Sequence, residues 1–188
     1  MIWESTYWKE EILRHAQRIR RHQTLKRWVE RSTSRLEKDL MIGFYSIRKL
    51  IEAHKVSDEI RDRSICLQGY PWTGSPITFL NWHKIDKKYD LEHPVPVNKT
   101  LIWVANQIIH SFAFLPSFDE KGRLDSILFN SDRTRRQFLY SLSVDEIIAL
   151  FEEVGANDPA SMRCNFNKKT GDYDVKMGTT MELDEDSI

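Results

Sequence analysis

Apolar residues recur every three to four positions along the first third of the chain, which is the period of an α-helix with one buried face. The first such stripe predicts one long helix over residues 5–31, interrupted by the hydroxyl residues at 32–34. Its apolar positions are Trp8, Ile12, Ala16, Ile19, Leu25, Trp28 and Val29.

A second stripe follows and is the clearest periodic signal in the sequence. Its members are spaced by four, four, three, four and three residues, which predicts a helix over residues 36–54. Two consecutive amphipathic helices indicate a helical hairpin at the start of the fold. The stripe consists of Leu36, Leu40, Phe44, Ile47, Ile51 and His54.

The middle of the chain is rich in turn residues. Glycines and prolines over residues 68–76 exclude a helix there, and residues 77–85 are predicted as a strand. Prolines make residues 92–97 extended. Asn98 is then predicted to cap a third helix that runs to about Ser111 and buries Leu101, Val104 and Ile108.

After this helix the hydrophobic period changes to two, which is the period of a strand. Residues 112–115 and 124–129 predict a hairpin, and residues 138–140 a further strand. Ser143 and Glu146 form a capping box that opens a helix ending at Gly155. Residues 162–166 and 173–177 predict a last hairpin.

This order of elements predicts an α+β fold in a single domain over residues 1–188. We expect a helical part over about 5–111, a hairpin-rich part over about 112–178 and an acidic tail over 179–188. No internal repeat or low-complexity linker divides the chain. Its length of 188 residues and its 40% hydrophobic content are those of a globular protein.

Charge is balanced overall but unevenly placed, since 28 basic residues face 28 acidic ones. The basic residues concentrate in the first helix, where Arg14, Arg18 and Arg21 are candidates for binding a nucleic acid. The alternative is that these arginines lie on a solvated helix face.

Features typical of export, membranes or metals are absent from the sequence. Cys66 and Cys164 are far apart, which favours a reducing, cytoplasmic location. The N-terminus has no signal-peptide pattern, and no apolar run is long enough to span a membrane. His83, Asp86 and Asp90 match no compact metal site, and the sequence has no nucleotide-binding loop. We therefore expect no metal and no cofactor.

The third predicted helix carries the best candidate for chemistry. Trp103, Asn106 and His110 share one face of this helix, opposite or beside its apolar stripe. An amide one turn from an imidazole can orient a phosphate beside a group that titrates near neutral pH. The alternative is a helix-end histidine that bonds to backbone carbonyls.

The segment from Ala105 to Ser111 resembles the Arg-Asn-x-x-x-His signature of the HEPN superfamily. This resemblance implies a helical, often dimeric protein that cleaves RNA without a metal, with the Arg and His as catalytic residues. Asn106 and His110 match the signature, whereas Ala105 stands where the family has arginine. A second, looser match runs from Arg48 to His54, and it makes Arg48 a candidate for the missing charge.

A second arginine cluster lies in the turn between two predicted strands. Arg133, Arg135 and Arg136 stand there beside hydroxyl residues, a combination that can clamp phosphate. The alternative is an exposed turn that keeps a sheet edge from aggregating.

Two functions are consistent with these features. We predict a non-catalytic module that binds RNA or a protein partner within a larger intracellular assembly, such as a defence or toxin–antitoxin complex. We expect it to be a homo-oligomer or a complex subunit. The alternative is a HEPN-like, metal-independent endoribonuclease that uses His110, with Asn106 orienting the phosphate.

Overall fold

The computed structural model describes residues 2–25 and 27–180, and it confirms the α+β fold. The α-helices of this part are α1 (Thr6–Gln23), α2 (Glu30–Glu52), α3 (Asp58–Arg61), α4 (Leu101–Ile109) and α5 (Val144–Ala156), and a short 3₁₀ helix spans Ile85–Lys87. The strands are β1 (Ser64–Pro71), β2 (Val95–Thr100), β3 (Ser111–Phe118), β4 (Leu124–Ser131), β5 (Phe138–Ser143), β6 (Ser161–Asn167) and β7 (Asp172–Gly178).

A five-stranded antiparallel sheet, in the order β2-β1-β5-β4-β3, forms the centre of the fold. Side chains alternate between the two faces of a strand, so neighbouring residues enter different cores. On β4, Ile127 and Phe129 pack with the helices, whereas Leu128 packs on the opposite face. The helices thus cover one face of the sheet.

The opposite face is covered by the long connection between β1 and β2. Ile77 and Tyr89 from this connection are buried against Ala113, Leu128 and Leu139 of the sheet. A backbone bridge between Trp72 and Tyr89 closes the connection on itself. This cover explains why β4 is buried on both faces.

The predicted helical hairpin is formed by α1 and α2, which share the main core. A buried carboxylate, Asp39, joins them by accepting hydrogen bonds from His15 Nδ1 and Arg18 Nε, each at 2.8 Å. Burial alone would raise the pKa of Asp39. The hydrogen bonds from His15 and Arg18 outweigh this effect and hold the pKa below its ordinary value.

The predicted single helix over 5–31 is wrong. Helix α1 ends at Gln23, and Ser32 to Ser34, expected as an interruption, lie inside α2. The two apolar stripes can bury each other only if the chain reverses between them. Trp28 lies in this reversal and packs against Phe118 at a centroid distance of 5.0 Å, which fixes the turn to the sheet.

Two predictions for the middle of the chain are also wrong. Residues 77–84 form turns and irregular structure rather than a strand, and a 3₁₀ helix begins at Ile85. The sheet takes β1 from residues 64–71, and the segment 68–76 is free of helix as expected. Asn98 lies in β2, where it pairs with Cys66 of β1. The residue that caps α4 is Thr100 instead. Residues 95–97 of the predicted extended segment do lie in β2.

The predictions for the second half are confirmed. Strands β3, β4 and β5 form where the period-two pattern placed them. The Ser143 hydroxyl accepts the backbone N–H of Glu146 at 3.1 Å and opens α5. Strands β6 and β7 pair as the last hairpin.

Two further expectations concern location and the chain end. No helix in the described residues is long and apolar enough to cross a membrane. The cytoplasmic location and the single domain stay predictions. Most of the acidic tail, residues 181–188, lies outside the described residues.

A substitution at Gly43 tests how closely α2 packs against α5. A Cβ added there would overlap the fully buried ring of Phe151 on α5. We expect Gly43→Ala to lower the free energy of unfolding by about 1 kcal/mol or more, because overpacking exceeds the gain of about 1 kcal/mol in helix propensity. Urea denaturation measures this change.

The matched control for Gly43→Ala is Ser34→Ala, at an exposed position of the same helix. This control should change stability by less than about 0.5 kcal/mol. The account also predicts that Phe151→Leu partly rescues Gly43→Ala. A Gly43→Ala variant as stable as the wild type would contradict this packing.

Candidate functional site

Helix α4 forms because one of its faces is buried. The Thr100 hydroxyl caps it by accepting the N–H of Trp103 at 3.4 Å, and Leu101, Val104 and Ile108 are buried in the main core. A helix of nine residues is too short to be stable alone in water, so this packing determines its orientation.

Asn106 and His110 lie one turn apart on the side of α4 that faces a groove. The backbone N–H of His110 donates to the carbonyl of Asn106 at 3.1 Å, and the His110 side chain is exposed. The amide oxygen of Asn106 is buried without a hydrogen-bond partner among the described residues. The groove therefore combines an accessible imidazole with an incompletely satisfied amide.

A buried hydrogen bond joins α4 to the β4–β5 turn (residues 132–137). The Thr134 hydroxyl donates to Gln107 Oε1 at 2.8 Å and accepts the N–H of Ser131 at 3.1 Å. All three residues are buried. Since the bond lies within the protein, it fixes the position of the turn relative to α4.

Two further contacts hold the same turn in place. The Tyr89 hydroxyl donates to the carbonyl of Arg135 at 2.8 Å and accepts the amide of Asn130 at 2.7 Å. Burial raises the pKa of Tyr89 to about 12, so this phenol stays protonated and keeps donating. The Arg135 guanidinium lies 4.1 Å from the centre of the Phe112 ring.

The α4 groove is the open depression that these elements enclose, with a volume of about 480 Å³. Helix α2 contributes Arg48, whose Nε donates to Glu52 at 2.7 Å. The groove is lined by Arg48, Asn106, Gln107, His110, Ser131, Asp132 and Arg133.

The charge of the groove favours an anion. Two guanidinium groups, of Arg48 and Arg133, face one carboxylate, of Asp132. That carboxylate lies 3.1 Å from Arg135 Nη2, so part of its charge is already compensated. Counted over its lining residues alone, the groove carries two positive charges and one negative charge, while the Glu52 carboxylate compensates part of the charge of Arg48 at 2.7 Å.

The structure brings together four of the nine residues predicted for the site. Arg48, Asn106, His110 and Arg133 line one groove although they come from three separate elements. Arg135 lies on Phe112 and beside Asp132, and Arg136 is exposed in the same turn.

One residue from each of the two partial motif matches, Ala105 and His54, lies outside the groove, in different surroundings. Ala105 is fully buried in the core, so the residue before Asn106 does not face the groove. His54 lies just beyond α2 with a φ of 53° and is exposed. The positive charge of the groove therefore comes from α2 and the β4–β5 turn, not from α4.

The three predicted arginines of α1 lie outside the α4 groove. Arg14 pairs with Glu10 at 3.0 Å and Glu11 at 2.8 Å, and Arg18 pairs with Glu11 at 2.9 Å. Arg21 lines a separate cavity. Acidic neighbours on the same helix thus compensate much of the apparent basic stretch.

Gln107, Ser131 and Asp132 line the groove but are not among the predicted site residues. The available signal for Gln107 was a polar residue next to the apolar stripe of a short helix. Ser131 and Asp132 directly precede the arginine cluster in the sequence. The contact between α4 and the β4–β5 turn, which brings these residues together, cannot be seen in the sequence.

Within the described residues, no three His, Cys, Asp or Glu side chains come close enough to hold a metal ion. Comparisons of the chain with family models, with curated proteins and with solved structures find no match in any of the three. The HEPN resemblance therefore stays a prediction from a short motif, and the case for this site depends on its geometry.

Thr134→Val tests the bond between the turn and α4. This change removes the hydroxyl at nearly constant volume and leaves Gln107 Oε1 and the Ser131 N–H unpaired. We expect the free energy of unfolding to fall by about 2–3 kcal/mol. Chemical denaturation measures it.

Thr134→Ser is the matched control because it keeps the hydroxyl and removes only a methyl group. It should cost about 1 kcal/mol. If serine destabilised the protein as much as valine, the hydrogen bond would not be what holds the turn.

Proposed function

We propose that the α4 groove binds single-stranded RNA through its phosphate backbone. The observation that carries this proposal is the convergence of Arg48 and Arg133 with Asn106 and the exposed His110 in one open groove. On this view the chain is a nucleic-acid-binding module.

Phosphate recognition explains the choice of side chains. A guanidinium presents several N–H donors in a planar fork that fits two phosphate oxygens at once. The amide of Asn106 adds a neutral hydrogen-bonding group. Because α4 and the turn are fixed by buried hydrogen bonds, the backbone that carries these groups loses little conformational entropy when a ligand binds.

A polymer fits this surface better than an isolated phosphate. The groove is open to solvent, and Arg136 carries exposed positive charge beyond the residues that line it. Ser131 and Asp132 supply oxygen acceptors inside the groove. A ribose 2′-hydroxyl can donate to such acceptors, which supports RNA rather than DNA.

The test is the affinity for a labelled single-stranded RNA, measured by fluorescence polarisation over a range of salt concentrations. We expect Arg48→Gln with Arg133→Gln to weaken binding at least tenfold. The slope of log affinity against log salt should fall by about 0.7 for each arginine lost.

The charge-matched control is Lys84→Gln with Lys87→Gln, which removes two exposed positive charges outside the groove. This control should retain most of the affinity. Equal weakening by both pairs would show that binding follows overall charge, and an absence of wild-type binding would refute the proposal.

A second candidate function is metal-independent cleavage of the bound RNA. The observation that favours it is that His110 is exposed and shares the groove with a carboxylate and two arginines. These are the groups that such a reaction requires: a base, an acid and cations for the phosphate.

In this reaction the 2′-oxygen of the RNA attacks the adjacent phosphorus as the bond from phosphorus to the 5′-oxygen breaks. Asp132 would accept the proton of the 2′-hydroxyl, and protonated His110 would donate a proton to the departing 5′-oxygen. Arg48 and Arg133 would stabilise the charge on the phosphate. The products are a 2′,3′-cyclic phosphate and a free 5′-hydroxyl.

Cleavage of end-labelled RNA in the presence of EDTA tests this candidate. We expect wild-type cutting to be independent of metal, and His110→Ala to reduce its rate at least a hundredfold. His93→Ala, at an exposed histidine outside the groove, is the control and should cut normally.

Failure to cut RNA that is demonstrably bound would rule out the enzyme and leave the binding module. A substrate with 2′-deoxyribose at each position should also resist cutting, because the nucleophile is missing. The predicted larger assembly and the oligomeric state are separate expectations, which neither experiment addresses.

A further inference from the structure

A second cavity lies where α1 ends and α2 begins, on a different part of the molecule's surface from the α4 groove. This α1–α2 cavity has a volume of about 400 Å³ and is lined by residues that include Arg18, Arg21, His22, Arg35, Lys38 and Asp39. Four of these six carry a positive charge and one a negative charge. The proposal for the α4 groove uses none of them.

The single carboxylate of this cavity is already compensated. Asp39 is buried and accepts hydrogen bonds from His15 and Arg18, each at 2.8 Å. Arg18 in turn also donates to Glu11 at 2.9 Å. Arg18 and Asp39 therefore form a structural pair that joins the two helices and adds little net charge to the cavity.

The other three cations have no such compensation. Arg21, Arg35 and Lys38 form no ion pair with another described residue. Arg35 and Lys38 are three positions apart on α2 and so share a face, while Arg21 comes from the last turn of α1. An anion bound in this cavity would therefore meet positive charge from both helices.

A buried histidine in the same cavity is also incompletely bonded. His22 is 9% exposed, and its Nδ1 has no hydrogen-bond partner among the described residues. The ring stacks on Trp28 at 5.7 Å, and its Nε2 lies 4.0 Å from Asp39. Burial, together with the charge of Arg35, lowers the pKa of His22, although Asp39 opposes the shift.

One ring nitrogen of neutral His22 can donate a hydrogen bond. The stacked Trp28 ring limits rotation of the His22 side chain. A ligand with several oxygen acceptors and negative charge would compensate the three cations beside the buried imidazole. Phosphate meets this description, and Arg21 and Arg35 have the planar forks that bind it in a bidentate way. The volume is within the range of small-molecule sites.

We infer that the α1–α2 cavity is a second, independent binding site for a phosphate group, carried by a small molecule such as a diphosphate or nucleotide. Arg21, Arg35 and Lys38 bind its oxygens, and His22 lies behind them. The Arg18–Asp39 pair fixes the helices at the spacing that this site requires.

Isothermal titration calorimetry of the full chain with inorganic pyrophosphate tests the site, with ADP as a second probe. We expect saturable binding of one pyrophosphate per chain. Arg35→Gln with Lys38→Gln should weaken it at least tenfold. Both side chains are exposed, so this variant should keep its melting temperature.

Two charge-matched variants serve as controls, and both should bind pyrophosphate as the wild type does. Lys84→Gln with Lys87→Gln tests for an effect of overall charge. Arg48→Gln with Arg133→Gln separates this site from the α4 groove, because it should lose RNA affinity while retaining pyrophosphate binding. Tighter binding of ADP than of pyrophosphate would identify a nucleotide, and equal binding a phosphate group alone.

The His22 ring gives a readout that does not depend on any variant. Its imidazole NMR signals should shift as wild-type protein is saturated with pyrophosphate. No saturable binding, equal weakening in either control, or an unchanged His22 spectrum at saturation would each overturn the inference.

Discussion

The burial of one face of α4 is the constraint on which the candidate site depends. The core between α2 and the sheet buries Leu101, Val104 and Ile108. Each such side chain contributes about 1.5–3 kcal/mol to the stability of the fold. Without this packing a helix of nine residues would not form. Because the apolar face is fixed inward, Asn106 and His110 lie at the groove.

A second, polar constraint completes the groove. The hydrogen bond from Thr134 to Gln107 joins the β4–β5 turn to α4, and the bond from Tyr89 to Arg135 joins the same turn to the cover of the sheet. Helix α2 contributes Arg48 to the groove. The site is thus assembled from three elements that tertiary contacts hold in register, whereas Arg14 and Arg18 of α1 lie outside it and pair with acids of their own helix.

Sequence reasoning predicted the elements that depend on local pattern. It missed the features that depend on tertiary contacts. The period-two segments gave β3, β4 and β5, and the capping box gave α5, because alternation and capping are local. The end of α1 was misplaced, since the reversal that separates the two apolar stripes has neither glycine nor proline to mark it. In the same way Asn106 and His110 were found from one helix, but Gln107 and Asp132 join the groove only through the packing of the turn.

Photo-cross-linking with RNA that carries 4-thiouridine, followed by mass spectrometry, tests the central claim most directly because it locates the bound strand without altering the protein. We expect cross-links in the last turn of α4 and in the β4–β5 turn, close to His110 and Arg133. Cross-links confined to α1 or to the β6–β7 hairpin, with none at these two segments, would contradict it.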